Sequence, residues 1–155
     1  MGLLTPVAVR LGKLSWMPRF LPQIAWLDDR LQRLTRGRVG FLELAGLPGL
    51  VLTVPGRRSG IPRSTNLLTV PYLGGWLVAG SSFGAPEPPA WAANLRAADT
   101  ATVRYRGKDV TVRWEELAGD ERASAWAAMV EVWPNFDHYA ARTDRVIPVF
   151  HLTRA

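Results

Sequence analysis

Residues 49–80 read GLVLTVPGRRSGIPRSTNLLTVPYLGGWLVAG, and the reading of this stretch decides the fold. Apolar and β-branched runs over residues 49–54, 63–72 and 76–80 are separated by Pro55-Gly56 and Gly74-Gly75, where hairpin turns need them. Three antiparallel strands in succession are therefore expected. Farther on, residues 100–106 and 109–115 alternate around Gly107-Lys108, with Val103 and Tyr105, then Val110, Val112 and Trp114, on one face. Between these groups, residues 90–98 have helical composition and carry Trp91 and Leu95 one turn apart. Residues 119–132 place Ala123, Trp126, Ala127 and Val130 on one helical stripe, with Asp120 and Glu121 at the positive end of the helix dipole. Pro134 stops that helix, and a short helix over 136–142 and a last strand over 147–152 complete the pattern. Five short strands joined by hairpins, with no regular strand–helix alternation, predict an α+β fold built on a small antiparallel barrel decorated by helices.

Upstream the period is helical. Thr5-Pro6 reads as a cap and first helical position before Val7, Leu11 and Leu14. Ile24, Leu27, Leu31 and Leu34 then recur on one face, with Arg30, Arg33 and Arg36 opposite. Residues 1–40 are thus expected to form a basic amphipathic helical extension, and 41–155 the barrel domain. The chain has 155 residues and a formal charge of +6; residues 1–40 hold seven basic and two acidic side chains, against twelve and eleven in the remainder. Charge gathered at one end argues against a uniformly basic nucleic-acid surface. Two readings of that end stay open, packing behind a solvated basic face or contact with an anionic membrane. Residues 64–86 are uncharged but contain Asn66, Pro71, Gly74-Gly75 and Ser81-Ser82, which is hairpin punctuation and not a membrane span. Arg10 and Lys13 interrupt the one candidate leader, so no cleaved signal is expected and the location is expected to be cytoplasmic, with peripheral contact at the inner membrane face on the second reading.

With no cysteine, disulfides, thiolate nucleophiles and iron–sulfur clusters are excluded, and His138 and His151 lack a metal-site spacing, so no metal is expected. Signatures of a nucleophile elbow, a P-loop and a dinucleotide fold are missing. Two clusters remain. Gly56-Arg57-Arg58-Ser59-Gly60 with Arg63 places three guanidiniums on one hairpin, a seat for phosphate or carboxylate, or alternatively a solvated turn. Ser81-Ser82-Phe83-Gly84-Ala85 followed by Trp91 and Asn94 ends a strand in hydroxyls and backbone donors before a helix. The bland alternative makes Trp91 core and Asn94 a turn residue.

Together, residues 52–60, Pro62-Arg63, Gly80-Ser81, Gly84-Ala85, Pro89-Ala90-Trp91, Asn94-Leu95, Thr143-Asp144-Arg145 and Ile147-Pro148-Val149 resemble the deazaflavin-dependent nitroreductase family, also described as deazaflavin-dependent quinone reductases. The resemblance runs from about residue 45 to the C-terminus. It implies a split β-barrel that binds coenzyme F420, an 8-hydroxy-5-deazaflavin with a phosphate and an oligoglutamate tail. It further implies that Arg57, Arg58, Ser59, Gly60 and Arg63 hold the tail, and that Ser81, Ser82, Gly84, Ala85, Trp91, Asn94 and Leu95 frame the ring. Ser81 and Tyr139 are then the expected catalytic residues, and Trp133, Phe136 and Tyr139 the expected acceptor pocket. Family members commonly carry Ser-Lys-Gly-Gly where this chain has Ser81-Ser82-Phe83-Gly84, so one cation is replaced and an aromatic added. The implied activity is hydride transfer from the reduced cofactor to a quinone-like or nitroaromatic acceptor. Two alternatives remain: a barrel that binds the deazaflavin or a lipid-like ligand without turnover, and a reductase that uses FMN.

Overall fold

The structure, a computed structural model, describes Arg30 and residues 46–155. The two helices expected within residues 1–40 lie outside the described residues, apart from Arg30, which is helical and exposed. The described elements are β1 (Gly49–Pro55), β2 (Pro62–Leu68), β3 (Val70–Tyr72), β4 (Gly75–Ala79), α1 (Ala90–Arg96), β5 (Ala101–Tyr105), β6 (Lys108–Glu116), α2 (Gly119–Val132), α3 (Asn135–Ala141) and β7 (Val149–Arg154). All strand pairs are antiparallel, in the order β2-β1-β5-β6-β7-β4-β3. The sheet is a curled split barrel, as the resemblance implies.

Among the described residues seven strands replace the six runs expected, five in the hairpin pattern and the last one, and the extra break has a local cause. The run over 63–72 divides at Thr69, which is fully buried. Its N–H donates to the Pro48 carbonyl (3.0 Å) and its hydroxyl to the Leu77 carbonyl (2.9 Å). Those bonds carry the chain from the β1 edge to the β4 edge, so one extended run serves both ends of the curl. Two turns also sit one residue earlier than their sequences suggest, at Leu73-Gly74 and Arg106-Gly107, where both residues of each pair have positive φ. That backbone matches the right-handed twist of the strands it joins.

Alternation along the strands builds two cores. Leu50, Leu52 and Val54 of β1, Trp76 and Val78 of β4, Val103, Val112, and Phe150 and Leu152 of β7 fill the barrel interior. Leu77 and Val149, pointing the other way, join Ala125 and Met129 of α2 and Phe136 and Tyr139 of α3 outside it. Helix α2 occupies its expected span; of the expected stripe Trp126 and Val130 pack against the outer core, but Ala123 and Ala127 are exposed, and Ala125 and Met129 are the residues fully buried. The reason is Arg122, whose Nη2 donates to the Ile147 carbonyl at 2.7 Å and turns that face inward.

Candidate active site

The arginine turn is closed on itself. Gly56 N–H donates to the Ile61 carbonyl and Gly60 N–H to the Gly56 carbonyl, both at 2.8 Å, and Gly60 takes φ +68. Ser59 Oγ accepts from Ile61 N–H at 3.2 Å. Arg57, Arg58 and Arg63 are exposed, and among the described residues none of them pairs with a carboxylate. Arg57 donates twice to one atom, Asn94 Oδ1 on α1, from its backbone N–H (3.1 Å) and from Nη1 (3.0 Å). Asn94 is buried, so this link fixes the turn against the helix that follows the rim.

The rim is the segment leaving β4. Ser82, Phe83 and Gly84 all have positive φ, at 43, 54 and 79°, an arrangement that L-residues avoid at about 1–2 kcal/mol each. Arginines from the end of the chain hold it. Arg145 donates from Nε to the Ala85 carbonyl (3.0 Å), from Nη1 to Gly80 (3.0 Å) and from Nη2 to Ser81 (2.9 Å). Arg142 Nη1 donates to the Phe83 carbonyl at 3.3 Å. Gly84 leaves no space for a side chain, because a Cβ there would lie 2.6 Å from the Tyr139 carbonyl oxygen. Sequence reasoning gave Arg142 and Arg145 no role; the signal available was two cations beside an aromatic-rich segment.

Other expected ligand contacts are packing residues. Trp91 and Leu95 are buried in the barrel interior, where Trp91 lies 5.6 Å from the Phe150 ring and α1 plugs the open end. Trp133, Phe136 and Tyr139, expected to face the acceptor, are 6%, 3% and 2% exposed and belong to the outer core. The Tyr139 hydroxyl accepts from Trp133 Nε1 at 3.1 Å, and burial pushes its phenol pKa up. Its ring meets Phe83 edge-on at 5.5 Å, so these aromatics form a floor beneath the rim. Ser81, Ser82 and Ala85 are half-buried at the rim itself. An open trough of about 260 Å3 at the foot of the arginine turn is lined by Thr53, Val54, Pro55, Pro62 and residues 100–102, none of which the sequence reading gave a binding role.

A split barrel plugged by one helix, with carboxylate-free arginines on one turn and a left-handed backbone rim after β4, belongs to the class of barrels that can seat an anionic ligand. Residues 26–154 match the family described as F420H(2)-dependent quinone reductase, and the chain belongs to that family. It is 31% identical over 143 residues to an F420H(2)-dependent quinone reductase of Mycobacterium tuberculosis, covering 90% of this chain and 96% of that one. A solved F420-H2 dependent reductase superposes with a TM-score of 0.63 at 34% identity, over 68% of this chain and 93% of its own. Another neighbour, solved as a domain-swapped dimer, has a TM-score of 0.65 at 29% identity over 82% of this chain and 96% of its own. The protein is an F420H2-dependent oxidoreductase, with coenzyme F420 as its cofactor. The residues present fit that group: guanidiniums free of carboxylates suit a tail of phosphate and glutamates.

Proposed function

We propose that this chain reduces a planar, quinone-like acceptor, with the cofactor's tail on the arginine turn and its ring at the rim. When bound, the reduced deazaflavin supplies the hydride from its ring carbon. Arg57, Arg58 and Arg63 grip the anionic tail, while Ser59 and Gly60 shape the turn. Ser81, Ser82, Gly84 and Ala85 present backbone and hydroxyl groups to the ring, and Ser81 offers a hydrogen bond to the oxygen that takes up charge as the acceptor gains a hydride and a proton. Tyr139 acts as a positioning residue, supporting the rim through the Phe83 ring. Trp91 and Leu95 serve the ring indirectly by seating α1.

The observation that carries this reading is the pair of hydrogen bonds from Arg57 to Asn94, which ties the tail seat to the helix beginning beyond the rim. Fluorescence titration of the purified chain with F420 and with FMN, followed by oxidation of reduced F420 by menadione, tests it. Saturable F420 binding and menadione-dependent bleaching are expected. Binding without bleaching would make the barrel non-catalytic, and preference for FMN would replace the cofactor.

The basic excess in residues 1–40 supports contact with anionic membrane, where quinones dissolve. Among the described residues no helix is long and apolar enough to cross a membrane. Deleting residues 1–40 should weaken sedimentation with anionic vesicles more than it weakens F420 binding; equal losses would make that segment part of the fold.

A further inference from the structure

Thr143-Asp144-Arg145 holds the rim but has no part in the proposed chemistry, yet Arg145 makes the site's most concentrated set of bonds. One planar guanidinium spans the carbonyls of Gly80, Ser81 and Ala85, reaching 60 to 65 residues back along the chain. These bonds engage Nε, Nη1 and Nη2 with backbone and none with a carboxylate. Glu87, in the segment before α1, acts on Arg145 only through space, and Arg142 adds a second cation on the Phe83 carbonyl. Burial pushes the Arg145 pKa down, but a guanidinium keeps its proton, so a positive charge is held beneath the rim.

Each carbonyl shares its peptide group with the next residue's N–H. A cation bonded to the Gly80 and Ser81 carbonyls therefore polarises the N–H groups of Ser81 and Ser82. Among the described residues neither N–H has a protein acceptor.

We infer that Arg145 is a positioning residue that lends its charge through the Gly80–Ser81 and Ser81–Ser82 peptide groups to the ring side of the rim and favours the anionic form of the bound deazaflavin. The inference rests on F420 as cofactor. It is tested by following the cofactor's visible spectrum against pH, because the ring hydroxyl belongs to the chromophore. Full-length wild type, Arg145→Lys and Arg145→Gln are saturated with oxidised F420 and titrated alongside free F420. The wild-type complex should ionise at lower pH than the free cofactor. Arg145→Gln, which removes the charge, should raise the midpoint by about one pH unit, the size of one nearby charge. Arg145→Lys should keep most of the shift while binding about tenfold more weakly, since one ammonium cannot match three carbonyls in a plane. A purely structural role would weaken binding in both variants and leave the saturated midpoints equal to wild type, which overturns the inference. Should Arg145→Gln not fold, the wild-type complex decides, because a midpoint equal to that of free F420 is the overturning result. Failure of wild type itself to bind F420 would instead strike the cofactor assignment.

Discussion

Replacing Asn94 separates the stability of the arginine turn from its charge. Asn94→Ala removes one acceptor from two donors, the Arg57 backbone N–H and Nη1. A neutral hydrogen bond contributes about 0.5–1.5 kcal/mol and a charge-assisted one about 1.5–3, but the exposed guanidinium can return to water, so the total cost is about 2–3 kcal/mol. At roughly 2–4 °C per kcal/mol for a chain of this size, melting should fall by about 5–10 °C. Cofactor affinity should fall about tenfold, because a loosened turn must be reordered when the tail binds. Asn94→Asp keeps both bonds and adds an ion pair, so melting should stay within about 2 °C of wild type. Its carboxylate cancels one cation facing the tail, and affinity should still fall about tenfold, with a weaker dependence on salt. Differential scanning fluorimetry and F420 fluorescence titration at low and high NaCl separate these outcomes. If Asn94→Asp bound F420 as tightly as wild type, the arginine turn would not be the tail seat.

Gly84→Ala forces a Cβ to 2.6 Å from the Tyr139 carbonyl oxygen in a left-handed backbone; a loss of about 2–4 kcal/mol is expected in urea unfolding, and one under about 1 would contradict the packing of α3 on the rim. Thr69→Val removes the hydroxyl bonded to the Leu77 carbonyl and should cost about 1–2 kcal/mol, with Thr69→Ser closer to wild type; equal stability of the two variants would mean that this bond does not hold the β2–β3 break. Glu116 accepts two bonds from Arg96, at 2.8 and 2.6 Å, and the first effect of these bonds is to hold its carboxyl below the usual range. A carboxyl lowered on folding stabilises above its ordinary range and loses that contribution as pH falls through the lowered value. With both side chains more than a third exposed, the pair contributes only about 0.5–1 kcal/mol. Glu116→Gln should therefore be less stable than wild type at neutral pH and equal to it in strong acid; a constant difference across pH would refute the pairing.

Much of the fold is local and so readable in sequence. Helix α2 keeps its expected bounds because Gly119 and Pro134 punctuate it from either side. Its buried face was misread because alanines at 123, 125 and 127 offer no contrast, and the tie from Arg122 to the Ile147 carbonyl spans 25 residues. The division of the run at Thr69 was hidden for the same reason. A β-branched residue between leucine and valine looks like uninterrupted strand, and only partners at Pro48 and Leu77 turn it into a corner.

The site was legible to the same depth. Three arginines on one hairpin announce an anion seat, but nothing near Arg57 in sequence points to Asn94, 37 residues away. Trp91 drew attention as a ligand contact because aromatics dominate both cores and binding sites; a barrel of short strands needs an end plug, and that need claims the ring. What sorts the arginines is the company they keep. Arg96 and Arg104 each close on a carboxylate, Glu116 and Asp109, on the sheet's exposed flank. Arg145 spends its donors on rim carbonyls, while Arg57, Arg58 and Arg63 meet no carboxylate among the described residues. Arginines satisfied by acids staple a helix or a strand to its neighbour, those satisfied by carbonyls set the backbone of the rim, and those with no acid partner among the described residues are available to a multiply charged anion. An electrostatic division of this kind predicts that salt weakens cofactor binding through the hairpin arginines while leaving the rim's backbone intact.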